Sequence, residues 1–292
     1  MPERALSGSS QVSSHSPHTT SQEGRDQEKI SQRNGFPTNN QEFLRYLLFD
    51  KSPGEITAEM EMARLDTVRA GFEWMQLRFS PTFQGIGLPR GEGVVVIAGG
   101  FATTKLNYQD TAHVFEKLGY TPVVYIPKPG INFSPVEQNE NEFMDLLNSF
   151  NDKVFLVTHS KGGLQAYAAY ATRRKEFSSR VKHWVQVAAP RPDWVNFVIG
   201  APYLGTQFVF GGDDFKFADE ILGNVDIENI DGVQVTAIGN PRDPIIRGKM
   251  IGKPDEQFLT DSSHSGALYY LKNLKLIAHR LAESASIQAK AA

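Results

Sequence analysis

A chain of 292 residues in which 30 Lys and Arg face 33 Asp and Glu, for a formal charge of -3, has no surplus of positive charge to hold a polyanion, so nucleic acid is not an expected partner. With no cysteine, disulfides, thiolate metal sites and cysteine nucleophiles are all excluded, and any nucleophile must be oxygen or nitrogen. No apolar run has the length of a membrane span and the N-terminus lacks the layout of a signal peptide, so no integral membrane segment is expected and the cytoplasm is the default address.

Residues 1–40 are rich in Ser, Gln, Asn and Thr with scarcely an aromatic, too little apolar surface to offset the entropy of ordering. They are expected to form a disordered tail, which keeps a signal-independent export route open, and His15 and His18 within it receive no role. Residues 41–80 read as a helical N-terminal extension in two pieces, 41–50 and 56–79, separated by Ser52-Pro53-Gly54. From residue 81 to 292 short Val- and Ile-rich runs alternate with amphipathic stretches of helical length. Strands are predicted at 94–98, 122–126, 154–158, 183–188, 233–238 and, weakly, 256–259.

The runs are continuously apolar rather than alternating, which marks strands covered on both faces, and the helical crossovers between them imply a mostly parallel sheet. The fold class is therefore α/β, a sheet of about six strands with helices on both faces, preceded by helices and the tail. One crossover helix is announced by Ser134, Pro135 and Glu137 as cap, first-turn proline and capping-box acid, with Val136, Phe143, Leu147 and Phe150 along one face. Ligands of open parallel sheets gather outside the carboxyl ends of the strands, so the residues just after each strand are where chemistry is expected.

After the third strand stands Ser160, in the stretch VFLVTHSKGG. A serine hydroxyl needs a base for its proton, a group to orient that base, and donors for the oxyanion that forms. A sharp strand-to-helix turn would expose the hydroxyl, given small residues two before and two after it. Gly162 satisfies the second position. Thr158 occupies the first, and fits only if its β-branched side chain points away from the crossing chain. The helix starting near Lys161 would aim its amides and dipole at the serine, with Lys161 offering one backbone N–H and Phe101, in the loop after the first strand, the other.

His264 is the expected base. His113 and His279 lie within helices, His183 begins a strand at the wrong end of the sheet, and His159, adjacent to the serine on a tight turn, should point into packing. The expected orienting acid is Asp243, five residues past Ile238, in preference to Asp261 and to the pair Asp213 and Asp214. The Gly pairs lack phosphate-loop or dinucleotide spacing and no His pair has a zinc separation, so neither cofactor nor metal is expected.

These motifs together resemble those of α/β-hydrolase-fold serine hydrolases, lipases and esterases in particular: GGFA at 99–102, THSKGG at 158–163, GNPRDP at 239–244 and SSHSGA at 262–267, with Ser, Asp and His in that chain order. The resemblance covers roughly residues 90–285. It implies an α/β-hydrolase fold truncated at its N-terminal strands, a catalytic set of Ser160, Asp243 and His264, and an oxyanion hole from the amides of Phe101 and Lys161. It also implies a small acyl ester as the substrate, with thioesters, amides or a non-catalytic binding role as alternatives. The segment 191–231, aromatic for a loop at Trp194, Phe197, Tyr203 and Phe208, would be a cap-like insertion walling an acyl site, with a satellite core or crossover helix packed on the sheet as the alternative, and 201–206 is similar to a turn of lipases. The sequence leaves the oligomeric state open.

Overall fold

A computed structural model describes residues 53–132, 136–189, 230, 232–243 and 256–291. The tail, the helical piece 41–50, Ser134 and Pro135, and the insertion 191–231 apart from Ile230 lie outside these residues, Asp213 and Asp214 among them.

The described chain begins with α1 (Pro53–Arg78). The Ser-Pro-Gly stretch read as a separator thus contributes Pro53 to the helix, where a first-turn proline gives up an N–H that has no partner in any case. There follow β1 (Val94–Ala98), α2 (Gln109–Lys117), β2 (Thr121–Tyr125), α3 (Val136–Asn148) and β3 (Val154–His159). Next come α4 (Lys161–Thr172), α5 (Arg174–Arg180), β4 (Val181–Val187), β5 (Gln234–Gly239), β6 (Glu256–Leu259) and α6 (Leu271–Ala291). The predicted strands are all present, with ends displaced by a residue or two.

All pairings are parallel, in the order β2-β1-β3-β4-β5-β6. Along each central strand successive residues enter different cores. Val95, Ile97, Phe155, Val157 and Val185 join Phe115 of α2, Leu274 and Ile277 of α6 and Leu77 of α1 on one face. Val96, Ala98, Val154, Leu156 and Trp184 join Phe143 and Leu147 of α3, Tyr167 of α4 and Phe177 of α5 on the other. Burial on both faces is why these strands read as unbroken apolar runs. The fold is the six-stranded α/β architecture expected, with helices on both faces.

From β1 the chain moves to β2 on one side and then back across β1 to β3 on the other. This reversal opens a crevice beyond the carboxyl ends of β1 and β3, where loops can line a site without disturbing the sheet. The backbones come closest where α4 leaves β3. A Cβ on Gly162 would stand 2.3 Å from the Ala98 carbonyl oxygen and 2.9 Å from that of Gly99, both backbone atoms of the first strand and its loop. Gly162→Ala is accordingly expected to cost about 2–3 kcal/mol through overpacking. The check is a lowered urea midpoint at unchanged slope; a midpoint like that of the wild type would mean that the β1 loop yields.

Candidate active site

Ser160 sits between β3 and α4 with φ 50° and ψ -123°, a left-handed conformation that a side chain resists. Its hydroxyl is half-buried at the rim. Among the described residues two other non-glycine residues have positive φ, Ala102 at 55° and Ala188 at 48°, in the loop after β1 and just past β4.

The elbow tolerates Thr158 because the side chain has its own place. The Thr158 hydroxyl accepts a hydrogen bond from Trp184 Nε1 at 3.0 Å, on the neighbouring strand and away from the crossing of α4 over β1. The expectation for this residue holds geometrically.

The structure brings Ser160, His264 and Asp243 together. Ser160 Oγ is 2.9 Å from His264 Nε2, and His264 Nδ1 is 2.8 Å from Asp243 Oδ2. A carboxylate can only accept, so Nδ1 carries the proton and the Nε2 lone pair faces the serine hydroxyl. Burial alone would push the His264 imidazole down, but the charge and hydrogen bond of Asp243, with a smaller contribution from the Asp66 charge, outweigh it. Its pKa is raised above the ordinary 6.5.

Asp243 is held by a turn of its own. Its backbone N–H donates to the Asn240 carbonyl at 3.0 Å, while the Asn240 side chain accepts from the Arg242 amide at 2.8 Å and donates to the Ser262 carbonyl at 2.7 Å. A buried asparagine therefore ties the acid's loop to the base's loop. Asp261, the rival acid, is exposed and faces Tyr270 and Lys272 instead. His113 stacks on Phe83, His183 hydrogen-bonds Thr236 inside the sheet, and His279 lies on the exposed side of α6.

The loop after β1 lies against the serine. A Cβ on Gly100 would stand 3.1 Å from both Ser160 Cβ and His159 Nδ1, and Lys161 Nζ lies 5.5 Å from the centre of the Phe101 ring. The two residues expected to supply oxyanion amides are thus neighbours across the crevice. The loop itself is braced by Asn132, whose side chain donates to the Gly99 carbonyl at 2.7 Å.

Sequence reasoning assigned His159 to packing, and it is buried, but its two nitrogens do more than fill space. Its Nε2–H donates to the His264 carbonyl at 2.9 Å, which leaves Nδ1 to accept from the Tyr108 hydroxyl at 3.0 Å; that hydroxyl accepts from the Gly100 amide at 2.7 Å. One polar chain so joins the β1 loop to the backbone of His264. Burial, with the neighbouring His264 charge, pushes the His159 imidazole down to about 4, so it stays neutral near neutral pH, as this pattern of donors requires.

Sequence reasoning missed Asp66 and Glu73 altogether. Both are buried on α1, and both hydrogen-bond the segment 263–265 that carries His264. Their only sequence signal was two acids seven residues apart on one helical face.

Among the described residues no group of three or more His, Asp or Glu is placed to hold a metal ion, and no helix is long and apolar enough to cross a membrane.

No family model matches the chain, and no curated protein matches it in sequence. Among solved structures it is similar to the metagenomic carboxyl esterase MGS0156, with 14% identity over 68% of this chain and 76% of that one and a TM-score of 0.48. It is similar to polyneuridine aldehyde esterase at 15% identity, over 65% of this chain and 99% of that one, with a TM-score of 0.46. It is also similar to the Bacillus licheniformis lipase BlEst2 in mature form at 12% identity, over 68% and 93%, with a TM-score of 0.47.

Proposed function

We propose that the chain is a serine hydrolase of carboxylic esters, with Ser160 as nucleophile, His264 as general base and acid, and Asp243 as the group that orients the histidine. The observation that carries this reading is the unbroken relay of 2.9 Å and 2.8 Å from hydroxyl to imidazole to carboxylate, at the rim where an open parallel sheet takes its ligands.

In this reaction Ser160 Oγ attacks the ester carbonyl carbon as its proton passes to His264 Nε2. The carbonyl oxygen becomes an oxyanion, held by the backbone N–H groups of Phe101 and Lys161 and favoured by the positive end of α4. The tetrahedral adduct collapses, the C–O bond to the alcohol breaks, and the imidazolium returns the proton to the departing oxygen. Water, deprotonated by the same imidazole, then attacks the acyl-serine ester and frees the acid and the hydroxyl. Asp243 remains ionised throughout, fixing the Nδ1–H tautomer and stabilising the imidazolium. No step calls for a metal or an organic cofactor.

Only the neutral imidazole can accept the serine proton, so activity is lost as pH falls through the pKa of His264. Because that pKa is raised, the midpoint of the acid limb is expected above 6.5. The test is the rate of covalent labelling by a fluorophosphonate across pH. One label per chain on Ser160, with a rate that climbs through such a midpoint, supports the reading; a protein that takes no label refutes it. Parallel assays with short p-nitrophenyl esters, acyl thioesters and anilides rank the three acyl classes, and esters are expected to turn over fastest.

A further inference from the structure

The inner face of α1 is unusual for a packed helix. Asp66, Ala70, Glu73 and Leu77 follow one another at helical spacing and all four are buried, yet two of them are carboxylates. A carboxylate taken out of water is costly unless several donors meet it. Here the donors come from three consecutive residues of one loop. Asp66 Oδ1 accepts from the His264 amide at 2.7 Å, and Asp66 Oδ2 from the Ser265 amide at 3.0 Å and its hydroxyl at 2.8 Å. Glu73 accepts from the Ser263 amide at 2.8 Å and its hydroxyl at 2.5 Å. The approach is close: a Cβ on Gly266 would fall 2.2 Å from Glu73 Oε2 and 2.8 Å from the Ala70 Cα.

We infer that Asp66 and Glu73 are positioning residues for the base, holding the backbone on either side of His264 so that its imidazole stays in line between Asp243 and Ser160. This rests on the serine-hydrolase reading. Attaching α1 to the domain does not require charge, since Leu77 already reaches the core and apolar residues at 66 and 73 would anchor the helix without the desolvation cost. What the carboxylates provide is direction. They take the amides of residues 263, 264 and 265, while His159 Nε2–H takes the His264 carbonyl from the opposite side. The peptide groups flanking the base are thus gripped by a helix and by a strand end, and the ring itself by Asp243 and Ser160.

The electrostatics agree with the geometry. The charged and titratable groups packed around His264 are Asp243 after β5 and His159 at the end of β3 against its ring, and Asp66 and Glu73 of α1 against the backbone of 263–265, the last paired with Arg69 at 3.2 Å. Of the two helix acids, Asp66 acts on the imidazole by its charge. The two carboxylates should therefore be separable, one acting by placement and charge and the other by placement alone.

The experiment compares the full chain with Asp66→Asn, Glu73→Gln and the milder Ser265→Ala. In Asp66→Asn and Glu73→Gln the expected result is kcat lower by about 10- to 100-fold with KM within about twofold, as for a reacting group displaced by a fraction of an ångström. Ser265→Ala should cost about threefold, by the same argument, and guards against the case in which a charge-removing variant fails to fold. The acid-limb midpoint should fall in Asp66→Asn and stay in place in Glu73→Gln, a split that a merely structural role would not produce. Folded variants with the kcat and midpoint of the wild type overturn the inference. The titration of the His264 ring, followed by NMR in the wild type and in Asp66→Asn, reads the same coupling without turnover. If the wild type takes no fluorophosphonate, the hydrolase reading fails; an unmoved ring midpoint in Asp66→Asn then overturns the positioning claim separately.

Discussion

Ser160→Ala should reduce ester turnover by about a million-fold, the scale seen when a triad nucleophile is removed and only binding and oxyanion stabilisation remain. The effect is large because, among the described residues, no neighbouring group is placed to stand in. The chain has no cysteine, and the other hydroxyls near the base, those of Ser263 and Ser265, donate to Glu73 and Asp66 on the far side of its backbone. Alanine keeps a Cβ and inherits the same left-handed backbone, so stability should change by less than about 0.5 kcal/mol. Steady-state rates with a p-nitrophenyl ester, alongside a thermal melt, check both statements. A folded variant that retains even a few per cent of activity would remove Ser160 from the mechanism.

Asp243→Asn should lower kcat by about 10⁴-fold while leaving the fold intact. The reason lies in donor direction. Asp243 accepts from Nδ1 at 2.8 Å, and this obliges Nε2 to present a lone pair to Ser160. An asparagine can turn its NH₂ toward Nδ1, which moves the ring proton to Nε2, where it can no longer receive the serine's. The loss of charge adds to this, since Asp243 is the main influence opposing burial of the imidazole. Rates measured above the acid limb isolate the tautomer effect from protonation. A loss of less than about tenfold would shift the orienting role elsewhere, and Asp66, which faces the backbone of His264 rather than its ring, could not assume it without rearrangement.

The sheet was legible because its strands are buried on both faces: VVVIA and VFLVT announce themselves without any need for periodicity. The site was legible for a related reason. Once the strands are placed, Ser160, Asp243 and His264 are short, polar interruptions that all fall at carboxyl ends, and few rivals share that position. The helix α1 was a different case. Its apolar residues Leu65, Val68, Phe72 and Met75 fall on one helical stripe, and that pattern points outward: Leu65 is 55% exposed and Phe72 58%. The buried stripe is the one with Asp66 and Glu73, since the partner it meets is a row of loop amides rather than a greasy surface. Burial driven by hydrogen bonds leaves no hydrophobic trace in a sequence. The second function of His159 was hidden similarly, because a histidine beside a nucleophile reads as filler until the Tyr108 hydroxyl and the His264 carbonyl stand at its two nitrogens.

Ala102, Ser160 and Ala188 hold left-handed backbones beyond three adjacent strands, β1, β3 and β4. Each conformation costs about 1–3 kcal/mol in a residue with a side chain. Glycine would relax any of them, so the easiest routes to a hardier molecule converge on the crevice edge, and at position 160 that route abolishes the hydroxyl. If Ser160 is the nucleophile proposed, heat resistance and turnover compete within this small arc, and a lineage selected for endurance would have to toughen the helices and outer strands and leave the edge tense.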